Sequence, residues 1–319
     1  MTEQINDPAP SNGTGPIRVA TRRSPLALAQ ARLVADQVTG VTGIPTELVE
    51  IVSEGDVNAG PLATIGGTGV FVTAVRDALR MGLADIAVHS LKDLPTAPAA
   101  DFVMAAVPAR ADVRDALCSA AGTLAELPPA ATVGTGSPRR RAQLLAARPD
   151  LAVVPIRGNV GTRLAMVGRS LDAVVLAAAG LARLGLSHEA TELLPVDTVL
   201  PAPGQGALAI EVHAAVEPDL LTSLQQLDDP ASRAATEAER ALLATLEAGC
   251  SAPVGAYAEH LTPGSARPQI HLRAGVYADS QAVHMSVTGS ASSAKELGSE
   301  LADRLLAAGA AGLLSESKL

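Results

Sequence analysis

One pattern, a short apolar strand that runs into Ser-Pro and then a helix, occurs twice in this chain and decides most of what it can fold into. The first copy, IRVATRRSPLALAQARLVADQV, starts at Ile17, and the second, ATVGTGSPRRRAQLLAARP, starts at Ala131. In each copy Ser24 or Ser137 supplies an oxygen suited to capping a helix N-terminus, and Pro25 or Pro138 suits the first helical position, where no N–H is needed. A second strand follows each helix, ELVEIVS (47–53) or LAVVPIR (151–157), then a Gly-containing turn and helix, then a third strand, DIAVHS (85–90) or DAVVLAA (172–178). Strands and helices alternating in this way predict parallel sheets covered by helices. The composition agrees: 48% of residues are hydrophobic, yet there are two Phe, two Tyr and no Trp, so Ala, Val, Leu and Ile must fill the interior.

A chain of 319 residues is too long for one core and fits two or three domains. The pattern changes near residue 229. SRAATEAERALLATLEAG (232–249) predicts an amphipathic helix with Gly249 as its left-handed C-terminal residue and Cys250 as the first residue beyond it. YAEHL, QIHLRAGVYA and AVHMSVTGSA then read as strands and SAKELGSELADRLLAAGA as a closing helix, which together make a small α+β domain. The expected fold class is therefore α/β: two α/β lobes followed by a C-terminal α+β domain. Residues 1–16 are rich in Pro, Gly and Ser without a basic start or an apolar stretch, so they read as a disordered tail and not as a signal peptide. No apolar run is long enough for a membrane span, and two cysteines without an export signal read as reduced thiols in the cytoplasm.

The net charge is -9, which with the lack of aromatic residues argues against nucleic acid as a partner. Against that acidic background, Arg139, Arg140, Arg141, Arg148, Arg157 and Arg163 cluster in two neighbouring segments. Arginine stays charged and matches a carboxylate or phosphate with two prongs, so the set reads as a site for a small polyanion. With only Lys92, Lys295 and Lys318 as lysines, any single arginine here is as readily ordinary surface charge. Position favours the set. In parallel α/β sheets ligands bind beyond the carboxyl ends of strands, where helix N-termini present free N–H groups, and Ser24, Ser137 and the Arg157-Gly158-Asn159 turn fall at those ends.

Two further candidates carry chemistry. Asp93, after Lys92 in AVHSLKDLPT, lies just past a buried strand, where a carboxylate steadies a developing cation or passes a proton; a turn-forming role before Leu94-Pro95 is equally compatible. Cys250 in GCSAP follows a helix, whose C-terminal dipole disfavours a thiolate, and Cys118 in DALCSA lies in an apolar run. His89 belongs to no set with metal-ligand spacing, and no metal is expected. GGTGVF (66–71) lacks a P-loop ending and reads as a flexible, lid-like loop.

Taken together, IRVATRRSPLALAQ, GGTGVF, ADIAVHSLKDLPT, RDAL, VGTGSPRRRAQL, IRGNVGTRL, DAVVLAAAGLARLGL, LPAPGQGALAIE and EAGCSAPVGAYA resemble, in order, the motifs of the porphobilinogen deaminase (hydroxymethylbilane synthase) family. The resemblance runs from Ile17 to about Ala258. It implies a cytoplasmic, monomeric enzyme with two lobes like those of periplasmic binding proteins. The implied boundaries are 17–110 plus 206–226 for the first lobe, 111–205 for the second and 229–319 for the C-terminal domain. It further implies a dipyrromethane cofactor held by a thioether to Cys250. Onto this primer four porphobilinogen molecules are condensed head to tail with loss of ammonia, and water then frees hydroxymethylbilane. By the same resemblance Asp93 is the catalytic group, stabilising the cationic azafulvene left when ammonia departs. Arg22, Ser24, Lys92, Ser137, Arg139, Arg140, Arg157, Arg163, Arg183 and Gln205 line the cofactor and substrate site, where arginines meet the acetate and propionate groups of each pyrrole. Arg114 with Asp115 reads as a domain-contact pair, and Arg23 and Arg141 as surface charge. The sequence departs from the family pattern at Thr64 and Thr68, in place of lysines, at Glu54 and at Ala248. Two other classes fit an Arg-lined α/β chain: a non-catalytic dicarboxylate binder, which the third domain argues against, and a phosphate-ester enzyme, for which there is no metal-ligand cluster.

Overall fold

The computed structural model describes residues 15–52, 69–249, 252–261, 266–278 and 281–316. The chain divides into two compact units, one formed by the residues up to Leu94 with Pro98–Pro108 and Leu208–Asp228, the other by Pro95–Ala97, Ala109–Ala207 and Asp229–Leu319.

In the first unit β1 (Ile17–Arg22), β2 (Thr46–Ile51), β3 (Ile86–Ser90), β4 (Phe102–Ala106) and β10 (Leu208–His213) form one sheet in the order β2-β1-β3-β10-β4. β1 runs parallel to β2 and β3, whereas β10 is antiparallel to β3 and β4. Alternate residues serve alternate faces, as the period of a strand requires. Val19, Ile86, Val88 and Ile210 pack with α1 (Pro25–Thr42) and α6 (Pro218–Gln225), and Ala20 and Ala87 pack with α2 (Gly69–Arg80) on the other face. Ser24 caps α1 as expected, its hydroxyl accepting from the Ala27 N–H at 3.3 Å. α2 begins inside GGTGVF: Gly69–Phe71 are helical rather than loop, and residues 66–68 of that motif lie outside the described residues. Glu54, Thr64 and Thr68 lie outside them as well.

The second unit repeats this design. β5 (Asp115–Ser119), β6 (Thr132–Thr135), β7 (Ala152–Pro155), β8 (Ala173–Ala177) and β9 (Glu192–Leu194) follow the order β7-β6-β8-β5-β9, with β6 parallel to β7 and β8 and with β5 antiparallel to its neighbours. Each α/β lobe thus has three parallel strands, an antiparallel strand brought in by the crossing chain, and an edge strand. The three strands read in each repeat are parallel as expected; β5 and β10, which the repeats did not include, are antiparallel, and each enters its sheet from the chain segment that serves the other lobe. Leu117, Val133, Ala173 and Val175 face α3 (Pro138–Ala147), while Ala116, Cys118, Val174 and Leu176 face α4 (Val160–Leu164) and α5 (Ala178–Arg183).

The rest of this unit is the small α+β domain. β11 (Val254–His260), β12 (Gln269–Ala278) and β13 (Gln281–Ser290) make an antiparallel sheet, covered by α7 (Pro230–Thr245), α8 (Ala294–Ala307) and α9 (Ala310–Glu316) around Leu242, Ile270, Leu272, Leu301 and Leu305. α7 and α8 touch closely because Gly298 has no side chain; a Cβ there would overlap the Ala238 carbonyl. α7 ends earlier than expected, at Thr245, and the left-handed residue is Glu247 (φ 49°) rather than Gly249. The Ala248 N–H donates to the Leu243 carbonyl at 3.2 Å and the Glu247 N–H to Ala244 at 3.0 Å, a Schellman closure that satisfies the last carbonyls before glycine is reached. Cys250 is therefore not the first residue past the helix, since residues 246–249 intervene; Cys250 itself lies outside the described residues.

Candidate active site

Each lobe gathers part of the expected set at the carboxyl ends of its parallel strands. In the first unit Arg22 ends β1, Ser24 opens α1, and β3 leads directly into a 3-10 turn over Leu91–Asp93. β1 and β3 are parallel neighbours, so these residues share one edge of the sheet. Leu91 and Leu94 are buried on either side of the turn and the Leu94 N–H donates to the Leu91 carbonyl at 3.2 Å, which fixes the turn while leaving Lys92 half-buried and Asp93 exposed. The Asp93 carboxylate has no ion pair among the described residues. Behind it, inside the sheet, Glu211 of β10 accepts from Arg76 at 2.7 and 3.0 Å and lies 3.1 Å from Nε2 of His89. Burial would raise the Glu211 pKa, but hydrogen bonds from His89 and Arg76 outweigh it and hold the carboxyl down at about 2. His89 is thus a hydrogen-bonding partner of the buried Glu211–Arg76 ion pair.

In the second unit β6, β7 and β8 deliver Ser137, the Arg157-Gly158-Asn159 turn and α5. Ser137 caps α3, accepting from the Arg140 N–H at 3.4 Å, and Asn159 caps α4 through the Thr162 N–H at 2.9 Å. Gly136 lets the two turns approach: a Cβ there would lie 2.8 Å from the Ile156 carbonyl oxygen.

Arg139 and Arg140 are buried in the first turn of α3, at 2% and 6% exposure. Both donate to the fully buried Asp115 of β5, Arg139 Nη2 at 2.8 Å and Arg140 Nη2 at 2.6 Å. Gln205 Nε2 adds a third bond to Asp115 at 2.8 Å. Burial alone would raise the Asp115 pKa, yet the two guanidiniums hold its carboxyl far below the usual carboxylate range. The remaining Nη groups go to carbonyls, Arg139 to Leu200 and Arg140 to Val175 at 3.1 Å. Arg114 therefore does not pair with Asp115 as expected. It forks onto Asp112 at 2.6–3.1 Å, because Asp115 points into the sheet interior where Arg139 and Arg140 lie. Asp115 is the residue that sequence reasoning misplaced; its signal was that two adjacent arginines opening a helix that packs on a buried sheet need a buried carboxylate.

Arg157 is exposed and Arg163 half-buried, and neither has a carboxylate partner among the described residues. Nε of Arg139, Arg140 and Arg163 are each buried without a hydrogen-bond partner, so it is the Nη groups and the exposure that tell Arg139 from the open arginines. Burial, together with the charges of Arg140 and Arg157, pushes the Arg163 pKa down. Arg163, half-buried beside two other guanidiniums and without a carboxylate of its own, is placed to stabilise an anion. Arg183 donates to the Gly206 carbonyl at 2.6 Å, and burial lowers its pKa to about 10. Arg23 pairs with Glu50 on the surface, and Arg141 is exposed. Cys118 is a buried free thiol, pushed up to about 11 chiefly by burial and further by Glu189. Among the described residues no group of three or more His, Cys, Asp or Glu side chains could hold a metal ion, and no helix is long and apolar enough to cross a membrane.

Comparison with known proteins covers nearly the whole chain. Residues 17–219 match the family described as porphobilinogen deaminase, dipyromethane cofactor binding domain, and residues 234–307 match porphobilinogen deaminase, C-terminal domain. The chain is 55% identical over 312 residues to porphobilinogen deaminase 1 of Streptomyces coelicolor, a match spanning 94% of this chain and 98% of that protein. It is 56% identical over 317 residues to porphobilinogen deaminase 1 of Streptomyces avermitilis, with the same two coverages of 94% and 98%. With porphobilinogen deaminase of Thermobifida fusca it shares 52% identity over 315 residues, 95% of this chain and 97% of the relative.

Proposed function

The chain belongs to the porphobilinogen deaminase family, and from this premise we propose that it is a hydroxymethylbilane synthase whose primer is attached through Cys250 and whose catalytic carboxylate is Asp93. The reaction joins four porphobilinogen molecules head to tail with release of ammonia, and water then releases the linear tetrapyrrole. The observation that carries the reading is the near full-length family match, including the domain described as binding the dipyromethane cofactor.

The residues present suit such a group. A dipyrromethane bearing acetates and propionates is a compact polycarboxylate, and the second unit offers it Arg157 and Arg163 without counter-ions, together with the unpartnered Nε edges of Arg140 and Arg163. Within the second unit, Ser137, Arg157 and Arg163 would hold its side chains. When bound, the cofactor supplies the pyrrole carbon to which the first substrate unit is joined. Asp93, an exposed carboxylate on a turn anchored by Leu91 and Leu94, accepts hydrogen bonds from substrate pyrrole N–H groups and stabilises the positive charge that grows on the substrate ring as its C–N bond breaks. The buried Glu211–Arg76–His89 cluster supports β3, the strand that carries this turn.

The test is the intact mass of the purified protein beside a Cys250→Ser variant. Cys118 is buried with a raised pKa, so an adduct on the native protein is assigned to Cys250. A mass excess of two linked pyrroles on the wild type and none on the variant is expected. A wild type that stays unmodified after incubation with porphobilinogen would overturn the attachment.

A further inference from the structure

Arg139, Arg140, Arg157, Arg163 and Arg183 of the second unit were expected to act alike, and their surroundings divide them: Arg183 donates to the Gly206 carbonyl. Arg139 spends Nη2 on Asp115 and Nη1 on the Leu200 carbonyl, and 2% of it is exposed. That carbonyl is itself held in place: Gln143 Nε2 donates to it at 3.1 Å, while Gln143 Oε1 accepts from the Leu200 N–H at 2.7 Å and from the Tyr277 hydroxyl at 2.9 Å. Arg140 is tied to Asp115 and to the Val175 carbonyl. Arg157 and Arg163 have no carboxylate partner among the described residues. One carboxylate against two buried guanidiniums leaves a surplus positive charge inside the clamp, and the two unpaired arginines extend it outward.

We propose that Asp115 is a positioning residue for the condensation: clamping Arg139 and Arg140 in the first turn of α3, it withdraws Arg139 from ligand binding and leaves Arg157 and Arg163 as the cations open to substrate carboxylates. The ligand named here rests on the functional reading above; the clamp does not. Arg139 is then a second positioning residue, and its burial explains how a helix N-terminus with two successive arginines stays packed against the sheet. Loss of the carboxylate charge frees both guanidiniums to turn outward, which loosens the turn capped by Ser137 and misplaces the anion site without removing any group that touches the reacting atoms.

The experiment is arginine labelling with phenylglyoxal, mapped by mass spectrometry on the full-length protein, for wild type and Asp115→Asn, with steady-state kinetics on porphobilinogen alongside. In the wild type Arg157 is expected to label and Arg139 to resist by at least about tenfold in rate. In Asp115→Asn both Arg139 and Arg140 become reactive, and KM rises about tenfold while kcat changes by less than about threefold, the split that marks lost positioning of bound substrate rather than lost chemistry. Wild-type Arg139 labelling as fast as Arg157, an unchanged labelling pattern in the variant, or a fall in kcat at constant KM would each overturn the proposal. The wild-type labelling decides the clamp even if the variant does not fold. A wild type that makes no bilane refutes the functional reading, and the labelling result then still stands apart from it.

Discussion

The two lobes share a strand order, and each carries one buried carboxylate on its antiparallel crossing strand, Glu211 on β10 and Asp115 on β5. What each carboxylate holds is different. Glu211 takes Arg76 from α2 and His89 from β3, both behind the sheet edge where Asp93 stands, and so stabilises the scaffold of an acid. Asp115 takes Arg139 and Arg140 from the helix that opens the anion site, and so decides how many cations remain. One topology thus supports an edge carrying an exposed carboxylate, Asp93, in one lobe and an edge rich in arginine in the other, with the partners of the buried carboxylate coming from different elements.

The comparison breaks most visibly in stability. Asp115→Ala leaves two guanidiniums buried without their counter-ion and is expected to cost about 3–5 kcal/mol. Glu211→Ala should cost less, about 2–3 kcal/mol, because Arg76 keeps some contact with water at 14% side-chain exposure. Urea unfolding of both variants checks this, and equal losses would mean that the two clamps are interchangeable. The pH dependence sharpens the same contrast. Glu211 has a folded pKa of about 2 against an ordinary 4.5, so its contribution is present above pH 4.5 and disappears as pH falls through 2. That contribution is roughly 3 kcal/mol by linkage. Wild type minus Glu211→Gln, followed between pH 5 and pH 2, should shrink accordingly. The Asp115 contribution persists to lower pH, since its carboxyl is held down further.

In activity, Asp93→Ala should lower kcat by roughly 10²–10³-fold with the fold intact, as expected when a charge-stabilising group is removed. Arg163→Met should mainly raise KM, by about 10–150-fold for one lost charge-assisted hydrogen bond. A kcat effect from Arg163, or a pure KM effect from Asp93, would erase the division between the lobe of the exposed carboxylate and the lobe of the unpaired arginines. The smallest effects belong to the matched helix caps: Ser24→Ala and Ser137→Ala are each expected to lose about 1 kcal/mol of stability by thermal or urea unfolding. A clear excess for Ser137 would show that its hydroxyl also steadies the Asp115 clamp.

How much was legible in advance depended on range. The doubled strand–Ser-Pro–helix pattern, both caps, the C-terminal α+β domain and the family were written in local order, because caps and amphipathic periods involve residues within a turn or two of one another. The antiparallel crossing strands were not, since nothing local distinguishes β5 or β10 from a parallel neighbour. The end of α7 was misread by the appeal of Gly249, because a Schellman closure formed two residues sooner with Glu247 in the left-handed position. Only the tertiary structure decided which arginines are spent and which are open. Asp115 reaches Arg139, Arg140 and Gln205 across separations of 24, 25 and 90 residues, and an ion pair depends on distance in space and on exclusion of water, neither of which is a property of sequence neighbours.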